Sequence, residues 1–134
     1  MRELIEILRK GGYSCVVRNG SEVRTFTRLG VADLYSLLTG DPTFLKGAEV
    51  ADKVIGKAAA ALIISGKVRE LYAEVISLSA LMLLRDAGIE VDFGMLVPYI
   101  RSRNGEDWCP LETACYKEKK AKEILPLIEG FLAD

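Results

Sequence analysis

Residues 101–112, RSRNGEDWCPLE, carry two arginines, three carboxylates, a tryptophan and a thiol within one polar stretch. Such density on a connecting segment is where binding and catalytic groups gather. Cys109 stands just before Pro110, a residue suited to the first position of a helix. A thiolate there is stabilised by the helix dipole, and Arg101 or Arg103 nearby adds to the effect, which is how a nucleophilic cysteine is made. The plainer reading makes Cys109 an N-cap, with Glu112 reaching back from the third helical position. Cysteine is a weak N-cap beside Ser, Thr, Asp or Asn, so that reading leaves its choice unexplained. The chain has no histidine, which removes the commonest general base and a favoured zinc ligand. A base for Cys109 would have to be Asp52, Glu74 or Glu112.

Two further constellations could hold a ligand. Read as parts of one helix, Lys53 and Lys57 lie four residues apart on one face, beside Asp52. Near a helix N-terminus their ammonium groups add to its partial positive charge and would hold a phosphate or carboxylate. The plainer reading is a solvated face with Asp52 as counter-charge, which an alanine-rich buried helix has little room for. In YAEVIS, Glu74 and Ser77 stand where a strand gives way to a helix, and open α/β sheets bind ligands at the carboxyl ends of strands. The plainer reading makes Glu74 an edge charge and Ser77 a cap. Tyr72 and Trp108 could stack on a ring, but such residues more often complete a core or an interface.

The elements that must position these groups follow from periodicity. Leu4, Ile5, Ile7 and Leu8 mark a helix ended by Gly11-Gly12. Asn19-Gly20 between two β-branched runs signals a hairpin, with positive φ expected at both turn positions. Val31, Leu34, Leu37 and Leu38 mark a short helix stopped by Gly40 and an Asp41-Pro42 turn. Val50 to Ser65 reads as one buried helix ending at Gly66, with Gly56 inside it. VRELYAEVI is a strand, and SLSALMLLRDAG is a helix capped by Ser77. GIEVDFGMLVPYI holds a further strand, or two short ones. Cys109 to Asp134 is helical, with a kink or restart near Pro126. A hairpin joined to helix-linked strands makes a mixed sheet with helices on its faces.

Composition bounds what these elements can build. A chain of 134 residues, 50% apolar and 28% charged, is one globular domain, spanning 1–134. A net charge of −1 offers no basic field for nucleic acid or an anionic membrane. The longest apolar run, Ala58 to Ile64, is far too short to span a bilayer. Three cysteines, Cys15, Cys109 and Cys115, follow no metal or disulfide spacing and read as reduced thiols of a cytoplasmic protein, with Cys15 and Cys115 as small core residues. The mean hydropathy of +0.20, on a short chain whose sheet has edges to cover, predicts self-association as a homodimer.

This element order resembles the cytidine-deaminase-like fold, so the chemistry of that fold is tested residue by residue. Zinc deaminases carry H-x-E at one helix start and P-C-x-x-C at the next. With the first motif set on Val50-Ala51-Asp52 and the second on Ser77-Leu78-Ser79-Ala80, every metal ligand is missing, and no zinc-activated water is expected. The whole chain resembles instead an uncharacterised bacterial and archaeal family, a domain of unknown function placed in the same superfamily. The resemblance rests on LKGAEVADKVIGKAAA (45–60), YAEVIS (72–77), LVPYI with its trailing RSRNG (96–105), and CPLE (109–112). It implies a three-layer α/β/α fold with a mixed sheet and an N-terminal hairpin, and no activity.

The sequence therefore predicts a metal-free and cofactor-free protein with a regulatory or sensory role, binding a small anionic, nucleotide-like ligand in a relic deaminase-type pocket. Lys53, Lys57, Arg101 and Arg103 would hold the anion, while Asp52, Glu74, Ser77 and Glu112 would hydrogen-bond the rest. Two other readings stand beside this one. One is a transferase or hydrolase using Cys109 as nucleophile. The other is a structural or interaction protein whose pocket is closed by Val50.

Overall fold

β-Branched residues at Val50, Val54 and Ile55 draw the chain into an extended segment that forms the middle of the sheet. The computed structural model describes residues 1–28, 31–100 and 120–133. Along them run α1 (Arg2–Gly11), β1 (Cys15–Asn19), β2 (Glu22–Phe26), α2 (Ala32–Gly40), α3 (Pro42–Leu45), β3 (Glu49–Ile55), α4 (Lys57–Ser65), β4 (Glu70–Ser77), α5 (Leu78–Asp86), β5 (Glu90–Val97) and α6 (Ala121–Ala133). The sheet has five strands in the order β2-β1-β3-β4-β5. β1 is antiparallel to both β2 and β3, and β3, β4 and β5 are mutually parallel.

The reading of Val50 to Ser65 as one helix is corrected here. β3 occupies Glu49–Ile55, and helix begins only at Lys57, with Gly56 as its N-cap in an extended conformation. The physical reason is coverage. β3 has a hydrogen-bonded strand on each side and is buried on both faces over Val50–Asp52, and a strand buried in this way loses the polar–apolar alternation that marks one in sequence. A short apolar run of that kind cannot be told from a buried helix by periodicity. Gly56 therefore separates two elements, and past Gly66 the positive φ that ends the turn falls on Lys67 (φ 59°).

The hairpin forms with its turn one residue later than expected. Asn19 pairs with Glu22, so the two turn positions are Gly20 and Ser21, and of these Gly20 has positive φ (61°). Glycine at the first turn position is the two-residue loop whose twist matches its strands. Asn19 stays in the ladder, and its side-chain amide donates to the carbonyls of Phe44 (2.8 Å) and Lys46 (3.1 Å), tying the hairpin to α3. α3 itself replaces the expected Asp41-Pro42 turn, because Pro42 opens a helical turn. α6 continues through Pro126 without a break.

Helices cover the sheet unequally. On its inner face α2, α3, α4, α5 and α6 bury the main core, in which Val17, Val50, Leu71, Ala73 and Ile76 of the strands meet Leu34, Leu45, Leu62, Leu84, Ile124 and Ile128 of the helices. On the outer face, among the described residues, α1 packs, and Leu4 and Leu8 meet Val16, Ala51 and Tyr72 in a small second cluster. The fold is thus a mixed sheet between helical layers, as the sequence predicts.

Inside this frame the in-and-out alternation slips. Asp52, Ala73 and Phe93 face inward in register, and so do Ile55 and Ile76 three residues later. Two consecutive residues between them, Lys53-Val54 on β3 and Glu74-Val75 on β4, are therefore not in the core. Asp52 holds the slip locally, since its Oδ1 accepts the backbone N–H of Val54 (3.1 Å). Short carboxylates serve nearby backbone donors in this way where a regular ladder is interrupted.

Candidate functional site

Parallel strands deliver their carboxyl ends to one edge of the sheet, and polar groups collect there. Ile55 pairs with Ile76, so Gly56-Lys57 and Ser77-Leu78 leave the sheet side by side, one strand spacing apart. Ser77 in turn pairs with Val97, which brings the start of the segment containing Tyr99 to the same edge. Lys57 is the first residue of α4 and is only 7% exposed, an ammonium at a helix N-terminus. Ser77 is fully buried as the N-cap of α5, where its Oγ accepts the backbone N–H of Ala80 (3.2 Å) and lies 3.3 Å from the Ser79 hydroxyl. Two nine-residue helices therefore begin at neighbouring points on this edge, each with the partial positive charge of its N-terminus. A buried cation and hydroxyls beside two helix N-termini can hold an anionic group. Ser79 was not foreseen as part of this edge, although its spacing two residues after Ser77 was the available signal.

The structure separates the remaining predicted residues. Lys53 and Lys57 do not share a helix face, because Lys53 lies on a strand, exposed and on the outer side with Ala51. Asp52 faces the other way, into the core beside Cys15, its register partner on β1. Burial raises its pKa to about 7, and the Asp33 carboxylate adds to this, while the Val54 N–H and the Cys15 thiol pull it back. The Cys15 thiol is itself pushed well above its ordinary value, by burial first and by the Asp52 charge second. Cys15 is therefore the inert core residue that the sequence predicts. Its pairing with Asp52 needed the strand register to become visible.

Glu74 stands within β4 rather than at its end, on the outer face. Arg9 donates to it from α1 (Nε to Oε1, 2.6 Å) and also to the Tyr72 hydroxyl (3.1 Å). These bonds hold the Glu74 carboxyl below its usual range, with Arg9 the larger cause. Gly94 on β5 allows this arrangement, since a Cβ there would sit 2.9 Å from the Glu74 carbonyl oxygen and 3.2 Å from the Tyr72 hydroxyl. Glu74 is thus a tie between α1 and the sheet. Val50, expected to close a pocket, is fully buried core in the body of β3. Arg101, Arg103, Trp108, Cys109, Glu112 and Cys115 lie outside the described residues.

The corrected helix boundary also moves the test for zinc. The first turn of α4 is Lys57-Ala58-Ala59, and that of α5 follows Ser77 with Leu78-Ser79-Ala80. An ammonium, methyl groups and hydroxyls do not make a zinc donor set. Among the described residues no group of three or more Cys, Asp or Glu side chains could hold a metal ion, and no helix is long and apolar enough to cross a membrane.

The fold and this edge define an open α/β protein with a cationic, hydroxyl-lined carboxyl end to its parallel strands. The chain belongs to the TM1506 family, a domain of unknown function (DUF1893), whose model matches residues 3–132. The crystal structure of a DUF1893 family protein (TM1506) from Thermotoga maritima is similar to it at a TM-score of 0.90 and 26% identity, over 96% of this chain and 87% of that one. Two larger proteins align at a TM-score of only 0.44. Acinetobacter baumannii RibD does so at 18% identity, over 69% of this chain and 33% of its own. A Thermotoga maritima diaminohydroxyphosphoribosylaminopyrimidine deaminase/5-amino-6-(5-phosphoribosylamino)uracil reductase does so at 17% identity, over 89% of this chain and 40% of its own. At that score neither likeness carries an argument. Among curated proteins none matches the chain.

Proposed function

We propose that this protein binds a small anionic ligand of nucleotide-like class, without a metal, at the carboxyl edge of β3 and β4, in a regulatory or sensory role. The observation that carries the reading is Lys57, a lysine 7% exposed at the first position of α4, two residues beyond the Ile55–Ile76 pair that buried Ser77 follows. Lysines are seldom buried, and a cation held at the carboxyl end of parallel strands is where α/β proteins receive anions. In this reading Lys57 supplies the charge, the α4 N–H groups and the Ser79 hydroxyl supply hydrogen bonds, and Ser77 fixes the start of α5. Arg101, Arg103 and Glu112 would complete the site. Descent from a deaminase-type pocket and a cytoplasmic location belong to the same reading. The free, buried Cys15 thiol is consistent with the second.

Thermal denaturation against a panel of nucleotides and phosphorylated metabolites tests this. A binder at 100 times its Kd adds about 2.7 kcal/mol of stability. Lys57→Met is expected to abolish that gain, whereas Lys53→Met, on the outer face, is expected to keep it. A gain that survives Lys57→Met, or that is lost only with Lys53→Met, would move the site elsewhere.

A further inference from the structure

The two edges of the sheet are built differently. β2 is short, and although Val23 on it is 40% exposed, its charges lie either side of that residue and are tethered: Arg24 bonds Glu22 (2.6 Å) and Asp41 (2.9 Å) and lies 3.8 Å over the Phe44 ring. Ion-paired charges on a five-residue strand are a standard protection against edge-to-edge pairing. β5 has eight residues, with its charges, Glu90 and Asp92, confined to the first three. From Phe93 to Val97 it carries no charge and no proline, and Met95 and Leu96 are 58% and 43% exposed. Among the described residues β5 pairs on one side alone, with β4.

An apolar row also leads to that edge. Val54, Val75 and Met95 are in register across β3, β4 and β5. Val54 is 48% exposed and Val75 is partly so, although both belong to interior strands. The slip in alternation placed them outside the core, and the outer cluster under α1 does not include them.

We propose that β5 is the surface through which two copies of this chain pair, antiparallel about a two-fold axis near Met95, to give one continuous sheet. This arrangement supplies hydrogen-bond partners for the β5 edge and joins the Val54–Val75–Met95 row of one copy to that of the other. The charge pattern selects the partner and the register. A two-fold centred on Val91 would set carboxylates of the two copies against each other, which is unfavourable. A two-fold near Met95 sends Glu90 and Asp92 of each copy to opposite ends of the ladder and leaves apolar residues at its centre. A strand with one acidic and one apolar half is self-complementary in that sense alone. Isologous contacts of this kind close on themselves and stop at two copies.

Sedimentation equilibrium at tens of micromolar is expected to give twice the 14.7 kDa chain mass. The double substitution Met95→Lys and Leu96→Lys brings four ammonium groups to the axis and is expected to give a monomer with an unchanged circular dichroism spectrum. Val23→Lys on the β2 edge is expected to leave the dimer intact. Since the double variant could fail to fold, Met95→Cys provides an independent reading. On mild oxidation it is expected to form a covalent dimer that neither the parent protein nor Val23→Cys forms. A monomeric parent protein, a dimer that persists in the folded double lysine variant, or no cross-link through Met95→Cys overturns the proposal.

Discussion

Asp52 and Glu74 are carboxylates on neighbouring strands, near the same level of the sheet, and they are perturbed in opposite directions. Asp52 faces inward, where burial raises its pKa to about 7. Glu74 faces outward and is held below its usual range by Arg9. The residue type is nearly the same and the backbone is continuous between them, so the face alone separates the two outcomes. The inner face is closed by helices and keeps a carboxyl because it serves the backbone at Val54. The outer face carries α1, and its carboxyl serves as that helix's anchor.

The largest expected effect comes from exposing that difference to pH. The unfolded chain releases the Asp52 proton near its ordinary value of 3.8, while the folded chain keeps it to about 7. Between those values the unfolded state binds fewer protons, so the Asp52 contribution to stability falls as pH rises and is flat above the folded pKa. At 1.36 kcal/mol per pKa unit the span is about 4 kcal/mol. Asp52→Asn removes this dependence, so its stability relative to the parent is expected to climb from pH 4 to pH 8 by up to that amount. Urea denaturation at each pH measures it, and a constant difference would show that Asp52 is not held neutral.

Next in size is the anchoring of α1. Leu4 is fully buried between α1 and the outer face, and Leu4→Ala is expected to cost about 3 kcal/mol, as large-to-small changes in a packed core do. A cost below about 1 kcal/mol would mean that the outer cluster contributes little to the fold. Gly94→Ala pushes a methyl group toward the Glu74 carbonyl oxygen and the Tyr72 hydroxyl, and is expected to cost about 1–2 kcal/mol. The smallest effect belongs to Glu74→Gln. Glu74 has a lowered pKa, so its contribution is present above the ordinary carboxylate range and is lost as pH falls through the folded value. The variant is expected to match the parent in acid and to fall slightly below it at neutral pH, opposite in sign to Asp52→Asn. Two parallel pH profiles would erase the contrast between the faces.

Much of the fold was legible in the residues themselves. Gly11-Gly12, the Ser77 cap and the alternating VRELYAEVI fixed a helix end, a helix start and a strand, because capping and periodicity are local physics. The hairpin was placed to within one residue, since a two-residue turn leaves few options. β3 was missed for a reason that lies beyond any local window. β3 carries a strand on each side and breaks its own alternation at Lys53-Val54, so only its neighbours on the sheet reveal it. That single error put Lys53 and Lys57 on one helix face and made Gly56 an interior glycine rather than a boundary. Of the candidate site, the sequence determined the chemical types at hand: no histidine, lysines and an aspartate close together before an alanine run, and a serine at a helix start. The tertiary structure decided their use, because successive residues on a strand point to opposite faces. Asp52 went to the core, Lys53 to the outer face, and Lys57 to the edge where β3 ends.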